Sequence, residues 1–352
     1  MKSCVVFCTI RSTKAFGEYA KNFNRFSHTP DVIVVDEDGS TRSLIKQQLK
    51  DFSVEFYGKC ERAKWFRIHK VDPLIVPPKT TDVIGFSLLV AYPRRYDMIV
   101  FVDDDTYPLP DKDFLWEHYK SLSSRRMPVK HGSDGWVNPH PYLYLRGFPY
   151  TLRVNHGFES KGGSKSGSIL NMGVADYVPD LNAMDYLQYG SLTGQYVDEN
   201  TAYSGSYILG NSFMPLSRMN IAFNPKIIPA FYQLTGSEFG IGRYGDVFSG
   251  LFIMKIAKHL GHNVSFGLPI CVHRKEPRDV FRDMRCELEA IKLNETLWRV
   301  LDKVKLKGNS YASCYLSLAE DLLKFKSEFH LPLYITYLVQ KMRGWVQSVS
   351  CL

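Results

Sequence analysis

The sequence predicts an α/β fold with a mainly parallel central sheet, helices on both faces and a helical C-terminal extension. Three observations lead to this prediction. Short β-branched runs alternate with helix-compatible segments over the first hundred residues, acidic residues follow those runs, and the pattern is helical almost to the end after about residue 276. Such alternation is typical of parallel sheets covered on both faces. We expect a first domain over residues 1–275 and an extension over 276–352 that packs on it.

The predicted strands are short apolar runs, and the predicted helices lie between them. The strands are expected at residues 5–10, 32–35, 54–57 and 98–102, and the helices at 13–26, 41–51 and 81–92. Residues 127–215 are rich in Pro, Gly, Asn and Tyr, so long loops and short strands are expected there.

Two later segments are predicted as amphipathic helices, residues 244–260 and 333–349. The second either packs on its own domain, offers a face to a partner helix, or touches a membrane surface, and the first of these alternatives is favoured.

Composition excludes several classes of protein. Apolar residues make up 45% and charged residues 23% of the 352-residue chain, which excludes a disordered or collagen-like protein. The net charge of +8 is spread along the chain without a Lys/Arg block, so no nucleic-acid partner is expected. This surplus suits an anionic small substrate or serves only solubility.

The cysteines and the apolar runs bear on the compartment. The seven cysteines form neither a CxxC pair nor a zinc-like spacing, which predicts free thiols in a reducing compartment. No apolar run reaches the roughly 18 residues of a membrane span. The N-terminal apolar run lacks a cleavage site and is predicted as the first buried strand. We therefore expect a soluble cytoplasmic protein.

An acidic triplet, Asp103-Asp104-Asp105, follows the fourth predicted strand. Like charges packed together are unfavourable unless a cation joins them. A divalent ion held by two such carboxylates can stabilise a diphosphate as a leaving group. A strand followed by Asp-x-Asp is the usual signal of a GT-A nucleotide-sugar enzyme, although acidic triplets also occur in solvated loops.

The ends of the first two predicted strands support the same interpretation. Thr9 and Arg11 follow the first strand, and Asp36 and Asp38 follow the second. Ligands of such sheets bind beyond the carboxyl ends of the strands. We therefore expect these residues at the nucleoside, with Arg11 near phosphate, although Asp-Gly-Ser is also an ordinary turn.

Three other segments carry candidate residues, each with a structural alternative. Asp246 opens an apolar helix, where capping and the helix dipole explain an acid as well as a sugar contact does. His273 ends a short apolar strand and is either a metal ligand or a satisfied polar residue. Arg146 and Arg153 lie in an aromatic loop, where the residues alone suggest a diphosphate clamp or an ion pair.

Taken in order, these segments resemble the reversibly glycosylated polypeptides, known also as UDP-arabinopyranose mutases. The resemblance rests on residues 9–11, 102–105, 145–153, 176–177, 219–223, 241–250 and 267–273. It implies a GT-A fold, UDP-sugar substrates and Mn²⁺ or Mg²⁺, and it implies that Arg146 matches the arginine that is reversibly glycosylated. The chain departs from the family at 157–167, 171–173 and Asn224, where sugar contacts are expected, so the identity of the sugar stays open.

The resemblance and the residues together give a set of predicted site residues. Arg146 is the predicted sugar acceptor, and because its guanidinium stays protonated, Asp246 or Asp176 is expected to take a proton as it attacks. Arg153 then becomes the phosphate clamp. The predicted substrate contacts are Thr9, Arg11, Asp36, Asp38, Asp104, Arg153 and Asn220, and the predicted metal ligands are Asp103, Asp105 and His273.

Three functions remain open from sequence. The leading hypothesis is a UDP-sugar mutase that interconverts pyranose and furanose forms, with arabinose as the expected sugar. The second is a glycosyltransferase with a separate acceptor, for which the 157–167 segment could provide access. The third is a non-catalytic subunit that binds nucleotide sugars or partner subunits, and the complete set of candidate residues argues against it. A homo- or hetero-oligomer is compatible with each.

Overall fold

The computed structural model describes the chain except residues 12, 38, 40–41, 78–79, 125, 133, 141, 156–157, 195–196, 198–202 and 234–235, and it leaves out the side chains of 81, 154–155 and 158–162. The described strands are β1 (Ser3–Thr9), β2 (Asp31–Asp36), β3 (Val54–Tyr57), β4 (Met98–Asp103), β5 (Thr106–Pro108), β6 (Met127–Gly132), β7 (Phe158–Lys165), β8 (Leu170–Tyr177), β9 (Tyr207–Leu209), β10 (Asn220–Phe223) and β11 (Val264–His273). The helices are α1 (Ala15–Arg25), α2 (Arg42–Gln48), α3 (Lys59–His69), α4 (Gly85–Ala91), α5 (Phe114–Ser123), α6 (Ala183–Tyr189), α7 (Gly245–His259), α8 (Val280–Lys303), α9 (Tyr311–Lys324) and α10 (Pro332–Ser350).

One sheet runs through the molecule in the order β3-β2-β1-β4-β10-β8-β11-β9-β6-β7, with β5 paired to β11. The four strands from β3 to β4 are parallel. Strand β10 is antiparallel to both β4 and β8, and β8 is parallel to β11, so β4, β8 and β11 point the same way. Their carboxyl ends therefore meet at one edge, beside those of β1 and β2, and this edge carries the candidate site.

Helices cover both faces of the sheet, as the sequence predicts. Side chains alternate across a strand, and in β1 Cys4 and Val6 belong to one apolar cluster while Val5 and Phe7 belong to another. The second cluster contains α1 and α5 residues, and the first contains residues of α4, α7 and the C-terminal helices. Continuous burial on both faces explains why β1, β2 and β4 are unbroken apolar runs. The predicted α/β class is confirmed.

Some predicted elements differ from those observed. Residues 81–92 form a 3-10 turn, the short helix α4 and a second 3-10 turn at Tyr92–Arg94, because Pro93 cannot donate the next helical hydrogen bond. The loop-like texture of 127–215 hides the eight-residue strand β8. The prediction of an amphipathic helix at 244–260 is wrong in character, since residues 245–254 of α7 are all buried between neighbouring elements.

The C-terminal helices pack on the rest of the chain. One apolar cluster contains Phe248 of α7, Tyr315 of α9 and Trp345 of α10. The Trp345 ring stacks on Tyr232 at 5.1 Å, and its Nε1 donates to the Ile228 carbonyl at 2.8 Å. The apolar face of the last segment is thus covered by its own chain. Among the described residues, no helix combines the length and apolarity needed to cross a membrane.

A buried polar network corrects one predicted site residue, Asn220. Its Nδ2 donates to the Pro269 carbonyl at 2.9 Å, and its Oδ1 accepts from Nε2 of His118 at 3.0 Å. The other His118 nitrogen, Nδ1, accepts from Asn171 Nδ2 at 3.0 Å. Asn220, Asn171 and His118 are fully buried, so Asn220 holds strands together and does not reach a substrate.

This network makes stability depend on pH. Burial lowers the pKa of His118 to about 3, whereas an unfolded histidine titrates near 6.5. The unfolded chain therefore binds more protons below pH 6.5, and the free energy of unfolding should fall by about 1.4 kcal/mol per pH unit between about pH 6 and pH 4 on this account. Urea unfolding at several pH values should show that H118Q loses this slope. Other histidines are common to both proteins, so equal slopes would contradict the prediction.

Candidate active site

The acidic triplet after β4 is held by residues that follow β1. Thr9 Oγ1 donates to Asp104 Oδ2 at 2.6 Å. Arg11 Nη2 donates to Asp104 Oδ1 at 2.9 Å and to Asp105 Oδ2 at 3.1 Å. The structure thus brings Thr9, Arg11, Asp104 and Asp105 together at the sheet edge, as predicted. Arg11 remains 38% exposed, so it can still meet a ligand from the solvent side.

The end of β2 lies beside this cluster. Asp36 is paired in register with Thr9 and is buried, and its Oδ1 accepts the Gly39 N–H at 2.8 Å. Its observed contact is therefore that of a turn residue next to the site. Asp38, the other residue predicted at the nucleoside, lies outside the described residues.

His273 faces the triplet with one ring nitrogen. The pairing of β5 with β11 places His273 opposite Thr106, and its Nε2 lies 3.6 Å from Asp105 Oδ1. Its Nδ1 lies 2.6 Å from the Val178 carbonyl, which can only accept, so Nδ1 carries the proton. Burial would lower the pKa of His273, but Asp105 raises it above its usual value. A cation bound by Asp105 would take the place of the Nε2 proton, and the Nδ1 contact would orient the ring as in metal-binding histidines.

The charges of this group suit a cation. Burial and then Asp105 raise the pKa of Asp103 to about 7. Burial alone would raise the pKa of Asp105, but His273 and Arg11 hold it below its usual value. Oxygen ligands with one imidazole fit Mn²⁺ or Mg²⁺ better than a structural zinc site. In the described part of the chain, however, no three such side chains are already gathered around one point, so a bound ion would have to draw them closer.

Arg146 is held between two carboxylates. Its Nε and Nη2 donate to Asp180 at 3.2 and 2.7 Å, and its Nη1 and Nη2 donate to Asp246 at 3.0 Å each. The side chain is 7% exposed, and its Cζ lies 5.7 Å from the centre of the Tyr244 ring. Burial would lower the pKa of Arg146, but the two carboxylates raise it well above its usual value. The guanidinium is therefore protonated and held in a fixed orientation. Its positive charge is balanced by the two carboxylates.

Of the two carboxylates, the sequence identified Asp246 and missed Asp180. Strand β8 ends at Tyr177, whose φ of +81° turns the chain so that Asp180 meets Arg146. Asp176, the predicted alternative base, is half-buried on β8 opposite Val272 and is not a partner of Arg146. Burial would raise the pKa of Asp180, but Arg146 holds it well below its usual range. Asp180 lies three residues beyond the resembling segment 176–177, and its residue type was the only signal in the sequence that could have pointed to it.

A glycine lets Arg146 and α7 approach each other. Gly147 has φ +98°, and a Cβ at this position would lie 2.4 Å from Cγ1 of Val247, the neighbour of Asp246. The Arg146 N–H also donates to the Asp180 carbonyl at 2.7 Å, which fixes the turn. The predicted capping role of Asp246 is only partly observed, since its Oδ1 accepts the Val247 N–H at 3.0 Å while no side chain caps α7.

We expect Gly147→Ala to slow any reaction at Arg146. The added methyl group must push the turn away from α7 and loosen the Arg146–Asp246 contacts, while the left-handed φ adds a stability cost of about 1 kcal/mol. Gly261→Ala is the matched control, because Gly261 has φ +73° beyond the other end of α7 with nothing near its Cβ. The unfolding temperature should fall in both variants, and further in Gly147→Ala because of its clash with Val247, whereas turnover should slow only in Gly147→Ala. Equal turnover in the two folded variants would contradict this.

Arg153 does not take the position expected of a phosphate clamp. Its Nη1 donates to Asp185 at 2.9 Å, and its Cζ stacks 3.7 Å over the Tyr150 ring. It is not among the residues that line the cleft between the triplet and Arg146. The ion pair and the stacking interaction anchor the 145–153 loop to α6.

Four other cations line that cleft, and the sequence did not single them out: Arg218, Arg243, Lys275 and Arg278. Burial, followed by Arg243 and Arg278, lowers the pKa of Lys275 to about 6. The backbone N–H of Arg218 approaches Asp246 Oδ2 at 3.4 Å, and Arg243 pairs with Asp283 of α8. The cleft therefore has an acidic side at the triplet and a basic side toward α8, an arrangement that can hold a cation and an anion side by side.

Comparison with known proteins places this geometry in a family. The family model described as reversibly glycosylated polypeptide matches residues 3–352. The chain is similar to the "Probable UDP-arabinopyranose mutase 1" of Pisum sativum, at 27% identity over 98% of this chain and 89% of that protein. It is also similar to the "UDP-arabinopyranose mutase 3" of Arabidopsis thaliana, at 28% identity over 71% of this chain and 67% of that protein.

Among solved structures, one similar chain is the glucosyl-3-phosphoglycerate synthase of Mycobacterium tuberculosis, crystallised with Mn²⁺, UDP and phosphoglyceric acid. The identity is 13%, the TM-score is 0.42, and the match covers 85% of this chain and 76% of that one. This likeness is too distant to bear on the site.

Proposed function

The chain belongs to the reversibly glycosylated polypeptide family, and on that premise we propose that it is a UDP-sugar mutase. The proposed reaction interconverts the pyranose and furanose forms of a UDP-sugar through reversible glycosylation of Arg146. UDP-arabinose is the proposed substrate, because the similar plant proteins are named UDP-arabinopyranose mutases. The observation that carries the proposal is that Asp180 and Asp246 each make a bidentate pair of hydrogen bonds to the Arg146 guanidinium inside the cleft.

The binding of Arg146 argues for a role other than a phosphate clamp. A clamp offers N–H donors and unbalanced positive charge to phosphate. Four N–H bonds of Arg146 are already used by carboxylates, whose summed charge exceeds its own. Arg278 contacts a single carboxylate, that of Asp283, and is 42% exposed, so it is better placed to meet a diphosphate from the basic side of the cleft. Arg146 is then available at the anomeric carbon.

Asp103, Asp105 and His273 would hold a divalent ion, Mn²⁺ or Mg²⁺. When bound, such an ion neutralises the charge that develops on a departing diphosphate. Thr9 and Arg11 support its carboxylates from β1, because both donate to the triplet. In this arrangement the diphosphate lies between the triplet and the basic side, and the sugar extends toward Arg146.

The proposed sequence of bond changes conserves atoms and charge. A nitrogen of Arg146 bonds to the anomeric carbon as the carbon–oxygen bond to UDP breaks, and UDP leaves with the electron pair. A carboxylate takes one proton from the attacking nitrogen. The sugar ring then opens and recloses through a different hydroxyl group. Attack by UDP returns the sugar to the nucleotide, and the proton returns to Arg146.

Product chromatography tests the proposal against its two rivals. The purified protein is incubated with UDP-arabinopyranose and Mn²⁺. Isomerised UDP-sugar supports the mutase, hydrolysis or transfer to an added acceptor supports a glycosyltransferase, and no turnover supports a non-catalytic subunit.

Asp36, Asp38 and Arg11 remain proposed contacts for the nucleotide. All seven cysteines are free, which supports the proposal of a cytoplasmic location.

A further inference from the structure

The hydrogen bonds of Arg146 distinguish its nitrogens. A guanidinium has five N–H donors. The single N–H of Nε donates a hydrogen bond to Asp180. The two N–H groups of Nη2 donate one hydrogen bond to Asp180 and one to Asp246. Nη1 uses only one, on Asp246 Oδ1 at 3.0 Å. Among the described residues, the second N–H of Nη1 has no partner.

A sugar bonded to nitrogen must take the place of one N–H. On Nε or Nη2 it would displace a carboxylate from a buried ion pair, which is costly because that charge would be left unpaired. On Nη1 it can occupy the position without a partner, and the other three contacts of the guanidinium persist. We propose that Nη1 of Arg146 is the nitrogen that accepts the sugar, that Asp246 is the base that takes its proton, and that Asp180 is a positioning residue. This inference rests on the proposed function.

The two carboxylates differ in ways that fit this division. Only Asp246 contacts Nη1. Asp180 instead contacts Arg146 at three points, through both carboxylate oxygens and through its carbonyl, which accepts the Arg146 backbone N–H at 2.7 Å. Asp246 sits in the first turn of α7, supported by the N–H groups of Val247 and Arg218. One acid therefore anchors the arginine, and the other is placed where the proton leaves.

The step is balanced. The Nη1–C1 bond forms, the C1–oxygen bond to the diphosphate breaks, and UDP takes the electron pair. The Nη1 proton that is hydrogen-bonded to Asp246 Oδ1 passes to that oxygen while Nη1 is tetrahedral. The remaining N–H turns toward Asp246 as Nη1 becomes planar again with the sugar in the formerly unpartnered position, and the substituted guanidinium keeps its single positive charge. In the reverse direction the proton returns from Asp246 as UDP recovers the sugar. The step needs no reactant besides the UDP-sugar.

The test compares Asp246→Asn, Asp180→Asn and the control Asp185→Asn under single turnover with UDP-arabinose and Mn²⁺. Asp185 is a buried acid paired with Arg153 outside the cleft, so its variant measures the cost of losing such an ion pair. Intact mass spectrometry follows the sugar adduct, and UDP binding with thermal unfolding monitors the fold. Asp246→Asn should slow adduct formation about 10²- to 10⁴-fold, the usual contribution of a general base. Asp180→Asn should slow adduct formation by a smaller factor than Asp246→Asn does.

The pH profile separates a base from a positioning residue. Above about pH 7, where Asp103 has lost its proton, adduct formation by the wild type and by Asp180→Asn should be level, whereas that of Asp246→Asn should keep rising as hydroxide replaces the missing base. A crystal structure of the wild-type adduct gives a second readout that needs no variant, with C1 expected on Nη1. An Asp180→Asn enzyme whose rate keeps rising with pH in this way, or C1 found on Nη2 or Nε, would overturn this inference and leave the proposed function intact. Absence of any Arg146 adduct in the wild type would overturn both.

Discussion

Arg146→Gln is expected to abolish both the protein-bound sugar and the isomerisation of UDP-sugar. The variant has no guanidinium nitrogen to bond to the anomeric carbon, and turnover should fall by about 10³-fold or more, as for loss of other enzyme nucleophiles. The change also leaves Asp180 and Asp246 buried without their shared cation. Breaking a buried ion pair in this way costs about 3–5 kcal/mol, a large part of an ordinary protein's stability.

Because Arg146→Gln can fail by unfolding, Arg146→Lys is measured beside it. Lysine keeps a positive charge between the two carboxylates, but its single nitrogen cannot make bidentate hydrogen bonds to both of them. The fold should survive while the positioned nitrogen is lost, so the arginine-linked adduct and the isomerisation should both disappear. Arg153→Lys is the control, since Arg153 is also ion-paired and stacked but lies outside the cleft. Wild-type turnover in a folded Arg146→Lys enzyme would contradict the assignment.

Asp105→Asn is expected to remove metal-dependent binding of UDP. Asp105 contacts Arg11 on one side and faces His273 on the other, so its charge connects the triplet to β11. Asparagine keeps the shape of the side chain, but its neutral amide is a much weaker ligand for a divalent ion than a carboxylate. The dissociation constant of UDP in the presence of Mn²⁺ should therefore rise by about 100-fold or more. Without metal, UDP should bind the variant about as well as the wild type. Calorimetry with and without Mn²⁺ measures both values.

Chelation and a nearby surface acid provide the controls. A chelator should stop turnover without changing the circular dichroism spectrum, because the core of the sheet does not depend on the triplet. Asp111→Asn removes an exposed acid a few residues beyond the triplet and should leave UDP binding unchanged. Turnover at the full rate after complete removal of metal would rule out Asp103, Asp105 and His273 as its ligands.

The sheet edge could be predicted because parallel strands end together. Short apolar runs followed by Thr9, Asp36 and Asp103 are visible in the sequence, and the register of β1 with its neighbours aligns them. The same reasoning does not extend to residues that reach the cleft from irregular segments. Asp180 faces Arg146 through the turn after β8, and Lys275 lies beyond β11.

The wrong assignments share a cause, which is that polar residue types do not reveal burial. Asn220 resembles a substrate ligand in sequence, but it binds the Pro269 carbonyl in the core. Arg153 lies seven residues from Arg146 and in the same loop, yet it pairs with Asp185 of α6. The partner of each was decided by tertiary packing, which a single sequence does not show.

The central claim is that Arg146 carries the sugar while UDP is detached. Peptide-level mass spectrometry after incubation with UDP-arabinose and Mn²⁺ tests it most directly, followed by a chase with excess UDP. The account predicts one pentosyl group on Arg146, with Arg153 unmodified, and its removal by the chase as UDP-sugar reappears. Isomerisation of UDP-sugar at the normal rate while Arg146 remains unmodified throughout would contradict the account.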